Sequence, residues 1–238
     1  MKPYGPCAKK LPPRRIEPVT PLDRDYFAQP TLHVARDLIG KLLVYETGEE
    51  RLVGRIVETE GYTRDDPAMH GWRATFDESG LVLPHGRAAD LFAPPGTAYV
   101  YRIYYTSWLL NVVTEPEGIA GAVLIRGIEP LEGIETMQAN RPPTLKRARD
   151  LTNGPGKLTQ ALGIADGAFH RTDLTTPPLY FADDGAPAPP VETSSRIGIT
   201  RGIDRMYRFY VPRHPYVSPG VPSDIKLARK TGDGRPRP

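Results

Sequence analysis

Two carboxylates and a tyrosine stand at alternate positions in the segment Arg55-Ile56-Val57-Glu58-Thr59-Glu60-Gly61-Tyr62. The apolar and β-branched residues around them predict a strand, in which successive side chains point to opposite faces, so Glu58, Glu60 and Tyr62 are expected on one face. Two carboxylates beside an aromatic ring at a strand end suit general acid–base chemistry. An ordinary charged strand edge has the same pattern, and the segment alone leaves both interpretations open.

A second group of aromatic residues predicts a hairpin. Ala98–Tyr105 and Trp108–Thr114 are rich in aromatic and β-branched residues, as strands are. If the chain turns about Thr106, Tyr101 lies opposite Asn111, and these cross-strand partners can line one pocket.

The predicted tip of this hairpin carries Tyr104, Tyr105 and Trp108. Aromatic side chains are unusual at a solvated turn, and an exposed aromatic tip can serve as a wedge in a stack of nucleic-acid bases. An aromatic hairpin that packs in the protein core is the alternative.

The elements that must hold these residues follow from the apolar periodicity of the chain. We expect Thr31 to cap the first helix and Gly40 to end it. Because strands follow one another in meander-like runs, the sequence predicts a single α+β domain with a mostly antiparallel sheet and surrounding helices. The predicted helices are Thr31–Leu38, Leu131–Ala139 and one from Pro155 to Gly163; the further strands are Lys41–Glu46, Arg51–Glu60, Gly121–Ile128, Leu179–Phe181, Arg196–Thr200 and Arg208–Val211.

The two ends of the chain are basic and rich in proline or glycine. Residues 1–20 hold five basic residues and one acidic residue, and residues 224–238 hold five and two, so residues 21–223 carry a net charge of −4 although the whole chain carries +3. Such composition buries little apolar surface. We therefore expect a domain over residues 23–214 between flexible tails, 1–22 and 215–238, and bulk charge supports nucleic-acid binding only weakly.

The composition also excludes several classes of site. Cys7 is the only cysteine, which rules out an intramolecular disulfide and a cysteine metal cluster. The five histidines are scattered, and no second ligand stands at a metal-binding spacing, so no metal site is predicted. No apolar run approaches the roughly 18 residues of a membrane span, and the first residues lack an apolar signal region, so we expect a cytoplasmic protein.

Five strings together resemble the alkyladenine (3-methyladenine) DNA glycosylases of the mammalian type, a family found in many bacteria. They occur in the family's order between about residues 25 and 212. The strings are Val34-Ala35-Arg36-Asp37-Leu38-Ile39-Gly40-Lys41, Arg55 to Tyr62, Pro94-Pro95-Gly96 with Tyr99-Val100-Tyr101, Leu124-Ile125-Arg126-Gly127-Ile128-Glu129-Pro130, and Asn153-Gly154-Pro155-Gly156-Lys157-Leu158-Thr159-Gln160-Ala161-Leu162-Gly163.

The resemblance implies the catalytic residues. Glu60 matches the family's catalytic carboxylate, which positions and deprotonates water, and Arg126 matches an arginine near that carboxylate. Arg126 by itself would be interpreted as a strand-edge charge. Glu58 is assigned to structure, with Arg55 or Arg126 as its partner.

The resemblance also implies a base pocket and a wedge. Tyr62 and Tyr101 match aromatics that stack on an extruded base, and His70 matches a pocket histidine, although a structural histidine is the alternative. Asn111 matches the residue that crowds the 2-amino group of guanine. Tyr104 matches the tyrosine that fills the gap left by the flipped nucleotide.

The implied enzyme is a monofunctional, cofactor-free DNA repair glycosylase with a body like the C-terminal domain of formyltransferases. It would flip and hydrolytically excise 3-methyladenine, 7-methylguanine and deaminated or etheno purines from double-stranded DNA, without contact with membranes, as a nucleoid-associated monomer. An alkylated purine is already cationic and leaves readily, so the base half of an inverting glycosidase suffices. No lysine lies in the pocket strings to form a Schiff base, which argues against lyase activity.

Basic residues outside the pocket are candidates for phosphate contacts, with a solvated charged face as the alternative for each cluster. Lys157, Arg147 and Arg205 are the individual candidates. The clusters are Arg141, Lys146, Arg147 and Arg149, and Arg196, Arg201, Arg205, Arg208 and Arg213.

The chain departs from the family pattern at two places. The stretch from Ala74 to Gly86 resembles an insertion where members carry a basic, Asn-containing segment, and Tyr105-Thr106 replaces the usual Gly-Met at the hairpin tip. A non-catalytic module that binds damaged DNA and a hydrolase for free nucleosides are the competing interpretations. The intact Glu60, Tyr62 and Tyr101 argue against the first, and the aromatic tip argues against the second.

Overall fold

The computed structural model describes residues 16, 18–48, 50–71, 75, 78, 86–103, 107–143, 145, 147–164 and 166–231. Within them lie nine strands, five helices and two short 3₁₀ segments. The strands are β1 (Thr20–Pro21), β2 (Leu42–Glu46), β3 (Arg51–Thr63), β4 (Ala98–Ile103), β5 (Ser107–Val113), β6 (Gly121–Glu132), β7 (Leu179–Asp183), β8 (Glu192–Ser194) and β9 (Arg208–Tyr210). The helices are α1 (Arg24–Phe27), α2 (Thr31–Asp37), α3 (Ile134–Ala139), α4 (Pro155–Ala161) and α5 (Ser223–Thr231), and the 3₁₀ segments are Gly86–Phe92 and Ala148–Leu151.

All nine strands belong to one sheet, and every pair in it is antiparallel. The order is β1-β7-β2-β3-β6-β5-β4, with β9 pairing β3 and β8 pairing β9. The predicted α+β class with a mostly antiparallel sheet is confirmed, and the likeness to a formyltransferase domain stays a prediction. None of the described helices has the length and apolar character needed to cross a membrane.

The long strand β3 is the centre of the sheet and carries the predicted acid–base residues. It pairs with β6 over almost its whole length, and the register shifts on both sides of Glu58. Its first half also pairs with β2, and Glu58–Glu60 pair with β9 on that same side. Glu60 therefore lies between two neighbouring strands, which fixes its backbone.

The hairpin of β4 and β5 forms with a register two residues away from the predicted one. Tyr99 pairs with Asn111, and Tyr101 pairs with Leu109, because Ile103 already pairs with Ser107 and the connection is centred one residue earlier than predicted. Tyr101 and Asn111 still point to the same face, since residues two apart in a strand do so.

Three local predictions are wrong for identifiable reasons. Leu131 belongs to β6 rather than to a helix, and α3 begins only after Gly133, whose φ of 68° breaks the strand. Thr31 does not cap α2; instead the carboxylate of Glu115 accepts from its backbone N–H at 2.6 Å. The segment Arg196–Thr200 forms no strand, because side-chain carboxylates and hydroxyls take up its polar groups.

The structure describes ordered contacts on both sides of the predicted domain, residues 23–214, whose bounds stay a prediction. Leu22 is buried, and Thr20–Pro21 pair with β7. At the other end, the N–H of Ser218 donates to the buried carboxylate of Glu58, and α5 follows. The sequence did not predict these contacts, because both ends are rich in proline and a single buried polar group produces no periodic pattern. Residues 1–15 and 232–238 lie outside the described residues.

The β4–β5 hairpin separates the hydrophobic core from a cavity. Val100 and Leu110 face the main apolar cluster under the sheet, whereas Tyr99, Tyr101 and Asn111 face the opposite side. Strand alternation produces both faces from one pair of strands.

Because Leu110 has no exposed surface, Leu110→Ala should lower the free energy of unfolding by about 2–5 kcal/mol through the cavity it leaves. The same change at Leu227, 46% exposed on α5, should alter it by no more than about 0.5 kcal/mol. Urea unfolding followed by circular dichroism measures both. Equal losses in the two variants would show that this face of the hairpin does not support the core.

Candidate active site

Glu60 is fully buried in β3, and its carboxylate has three partners among the residues that the structure describes. Oε1 accepts a hydrogen bond from the backbone N–H of Ile197 at 2.7 Å. Oε2 accepts one from the Tyr62 hydroxyl at 2.9 Å and lies 3.3 Å from Nη1 of Arg126. An ionised carboxylate has about four lone-pair sites, so these three partners leave one for a water molecule.

Arg126, on the neighbouring strand β6, links the two carboxylates of β3. Its Nε donates to Oε1 of Glu58 at 2.9 Å while its Nη1 lies beside Glu60. Both carboxylates reach one guanidinium, which confirms that Glu58 and Glu60 share a face and that Glu58 pairs with Arg126. The side chain of Arg55 instead binds Asp184 with two hydrogen bonds.

Glu58 is buried in a shell of positive charge and donors. Besides Arg126, its Oε1 accepts from Nε of Arg208 at 2.7 Å and from the Ser218 hydroxyl at 2.8 Å, and its Oε2 accepts from the Ser218 N–H at 2.6 Å. Burial opposes ionisation of this group. The two guanidiniums and the Ser218 N–H outweigh burial and hold the pKa of Glu58 below its usual value, so it is an anion at neutral pH.

Tyr62 is held from behind by a second buried ion pair. Arg196, which has no exposed surface, stacks on its ring with 4.5 Å between the guanidinium carbon and the ring centroid. The guanidinium of Arg196 binds both carboxylate oxygens of Asp66, which is also fully buried, and the carbonyl of Gly61. Burial and the negative charge of Glu60 raise the pKa of the Tyr62 hydroxyl, which therefore stays a hydrogen-bond donor.

A cavity of about 1190 Å³ opens in front of these residues. Tyr62 and Arg126 lie in its lining, and Glu60 lies directly behind them. The aromatic part of the wall is made by His70, Tyr99 and Tyr101: the His70 ring meets that of Tyr101 edge to face with 4.9 Å between centroids.

Hydrogen bonds orient the polar groups of this wall. Nδ1 of His70 lies 2.7 Å from the Tyr99 hydroxyl. Asn111 is 97% buried, and its Nδ2 donates to the Tyr99 carbonyl at 2.9 Å. That bond fixes the side-chain amide of Asn111 beside the cavity.

The structure thus brings together six of the predicted site residues: Glu60, Arg126, Tyr62, His70, Tyr101 and Asn111. Tyr104, the predicted wedge, lies outside the described residues, as does nearly all of the stretch from Ala74 to Gly86.

The three individual candidates for phosphate contacts do not line the cavity, and each lies beside an aspartate. The guanidinium of Arg147 binds both carboxylate oxygens of Asp150, and the Lys157 ammonium donates to Asn153 at 2.7 Å with Asp150 at 3.7 Å. Arg205 binds Asp65 at 3.0 Å. Asn153 therefore binds Lys157 and does not cap α4.

Two arginines of the predicted phosphate clusters are corrected by the structure. Arg196 and Arg208 are buried against Asp66 and Glu58, and no phosphate reaches a side chain so placed. Sequence reasoning missed Asp66 and the N–H of Ile197 because neither belongs to a motif of its own. The mixture of arginines and tyrosines from 196 to 210 was the only feature of the sequence that indicated buried partners for the site in this segment.

The arrangement can do acid–base chemistry on a water molecule beside a bound planar ring. A buried carboxylate with one unfilled site suits a base for water, and the aromatic wall offers stacking surfaces. Within the described ranges, no group of three histidine, cysteine, aspartate or glutamate side chains could hold a metal ion.

Comparison with known proteins gives the family. The family model described as methylpurine-DNA glycosylase matches residues 25–215. A protein of Salinibacter ruber named "Putative 3-methyladenine DNA glycosylase" is 57% identical over 207 residues, which is 85% of this chain and 98% of that protein. Proteins of the same name from Chlorobaculum tepidum and Mesorhizobium japonicum are 40% and 43% identical, over 89% and 86% of this chain and 97% and 93% of their own length.

The match spans far more than half of the chain and includes β3, the hairpin, β6 and the loop that carries Ile197. The cavity described above is therefore built almost wholly from the matched region. The chain belongs to the methylpurine-DNA glycosylase family of DNA N-glycosylases.

Proposed function

We propose that the protein turns a damaged purine out of duplex DNA and hydrolyses its N-glycosidic bond, with Glu60 as the base for the attacking water. The observation that carries the proposal is the Glu60 carboxylate, fully buried behind an aromatic-walled cavity with Arg126 and the Tyr62 hydroxyl on one oxygen. Family membership supplies the substrate class, DNA that carries damaged purines.

The chemistry asks two things of Glu60. It accepts the proton of the water, and its negative charge balances the positive charge that develops on the deoxyribose as the bond to the base breaks. Arg126 and the N–H of Ile197 hold the carboxylate in one orientation. An alkylated purine is cationic in the nucleotide and leaves as a neutral base with the electron pair of the broken bond, so its excision needs no obligatory acid. With water as the nucleophile and no Schiff base, the enzyme acts as a monofunctional hydrolase.

The aromatic wall accounts for binding of the extruded base. Tyr62 and Tyr101 provide ring faces, and an electron-poor or cationic purine stacks well on such faces. Arg196 covers one face of Tyr62, and the Tyr62 side chain also lines the cavity, where the base would stack on it. His70, fixed by Tyr99, closes the same wall.

Extrusion has a cost of about a few kcal/mol, which is smallest at a damaged or mismatched pair. The family resemblance assigns Tyr104 to the vacated space in the duplex. In support of this role, Arg102 and Ile103, which directly precede Tyr104 along the chain, line the cavity.

Lys157, Arg147 and Arg205 remain our proposals for phosphate contacts. Arg147 is 59% exposed, so a phosphate can reach it without unfolding. In each case a DNA phosphate must displace or share an aspartate, Asp150 or Asp65, which lowers the gain from each contact.

Glu60→Gln keeps the size of the side chain and removes the proton acceptor. We expect binding to a duplex with one 7-methylguanine to persist while single-turnover excision falls by about 10²–10⁴-fold. Alkaline cleavage of the abasic product measures excision. Glu46→Gln, on β2 away from the cavity, is the matched control and should retain the wild-type rate. Excision by the Glu60 variant within a few-fold of wild type would remove Glu60 from the mechanism.

Asn111→Ser should relax discrimination against the 2-amino group of guanine, because a shorter side chain replaces the fixed amide of Asn111 on the cavity wall. The ratio of excision rates for 7-methylguanine and hypoxanthine should rise about 10-fold. Asn140→Ser is the control, since that amide likewise donates to a carbonyl but lies outside the cavity. An unchanged ratio in the Asn111 variant would show that this residue does not read the purine.

Binding should weaken steadily with salt, because phosphate contacts release counterions. If Arg147 and Arg205 touch phosphates, each change to Gln should reduce the slope of log affinity against log salt by about 1. Fluorescence anisotropy at several salt concentrations gives the slope. Arg24→Gln, an exposed arginine paired with Asp173, serves for comparison. Three identical slopes would contradict the phosphate assignment.

A further inference from the structure

One of the two buried glutamates, Glu58, is held by a segment that the family match does not include. The match ends at residue 215, and residues 216–224, which we name the strap, contact Glu58, Gly127 and the loop that carries Ile197. We propose that the strap positions the catalytic guanidinium of Arg126, with Ser218 acting on it through Glu58. The inference rests on the proposed role of Glu60 and Arg126 in excision.

Ser218 is the point of contact. Its backbone N–H and its hydroxyl bind the two oxygens of Glu58 at 2.6 and 2.8 Å, and its Oγ also lies 3.4 Å from Nη2 of Arg126. One residue therefore contacts both members of the ion pair. All three side chains are more than 90% buried, where hydrogen bonds to charged groups are strong because water does not compete for them.

The contact has a direct consequence for Glu60. The Nε of Arg126 donates to Glu58, and its Nη1 lies beside the Glu60 carboxylate. A guanidinium is planar and rigid, so an anchor at Nε determines where Nη1 points. If Glu58 tilts, the end of Arg126 that faces Glu60 moves with it.

Glycines allow the strap to lie close on the site. A Cβ at Gly127, the residue after Arg126, would come within 2.5 Å of the Tyr216 carbonyl oxygen. A Cβ at Gly220 would come within 2.7 Å of Cγ2 of Ile197, the residue whose N–H binds Glu60. The strap thus packs directly against both neighbours of the catalytic carboxylate.

The end of the strap is fastened to the loop behind Glu60. The Ser223 N–H donates to the Arg196 carbonyl at 2.9 Å, and its hydroxyl accepts from the Ile199 N–H at 3.2 Å. Ser195 and Asp224 bind each other as well. These bonds flank Ile197 on both sides, so the strap and the loop behave as one unit.

The test compares Ser218→Ala, Ser218→Thr and wild type on a duplex with one 7-methylguanine. Ser218→Ala removes the hydroxyl and keeps the backbone N–H. We expect its single-turnover excision rate to fall by about 10-fold, while affinity for a duplex with a tetrahydrofuran abasic analogue changes by less than about 2-fold. Ser218→Thr keeps the hydroxyl and should restore most of the rate.

Val44→Ala is the matched control for lost stability. Val44 lies in β2 and is fully buried in a separate apolar cluster. The melting temperature of the Val44→Ala variant should therefore fall while its excision rate stays at the wild-type value. A wild-type rate in Ser218→Ala would overturn the proposal. So would a loss that Ser218→Thr does not restore, or an equal loss in Val44→Ala. Failure of the wild-type protein itself to excise the base would instead overturn the proposed function.

Discussion

Two buried glutamates on one face of one strand are the constraint around which the structure is organised. A carboxylate removed from water is costly unless positive charge and donors replace the lost solvation. Glu58 and Glu60 lie two residues apart in β3, and neither has any exposed surface. Arg126 on β6, Arg208 on β9 and the N–H groups of Ser218 and Ile197 come from four distant parts of the chain to meet this demand.

The two carboxylates are nevertheless treated differently, and the difference separates structure from chemistry. Glu58 is saturated, with four hydrogen bonds from two arginines and one serine. Because folding lowers its pKa, it adds stability that is fully present above the pKa of an unfolded glutamate and is lost as pH falls through the lower folded value. Glu60 has three described partners and keeps a lone-pair site that a water molecule can occupy. In the function we propose, the saturated carboxylate anchors its neighbours and the other one acts on the water.

The sequence predicted the parts of this arrangement that depend on local periodicity. Alternation placed Glu58, Glu60 and Tyr62 on one face, and the aromatic pattern identified the hairpin beside them. The hairpin register was missed because it depends on the length of the connection, which no side-chain pattern states. The prediction of a strand at Arg196–Thr200 was wrong, because the Arg196 guanidinium binds the buried carboxylate of Asp66, 130 residues earlier in the chain. Contacts between residues so far apart require the folded chain.

The contact between Ser218 and Glu58 joins positions 160 residues apart, and this separation bears on how the protein is made. Synthesis reaches Ser218 long after β3 has left the ribosome. Until then Glu58 lacks the donors of the strap, and the sheet forms around a carboxylate that is only partly compensated. Folding that depends on such distant contacts is slow. A chain cut short by an early stop codon or by a protease before Ser218 keeps every residue of the cavity wall and still leaves this anion short of partners. Chaperones and proteases would act on such a fragment because it is destabilised, before any loss of activity mattered.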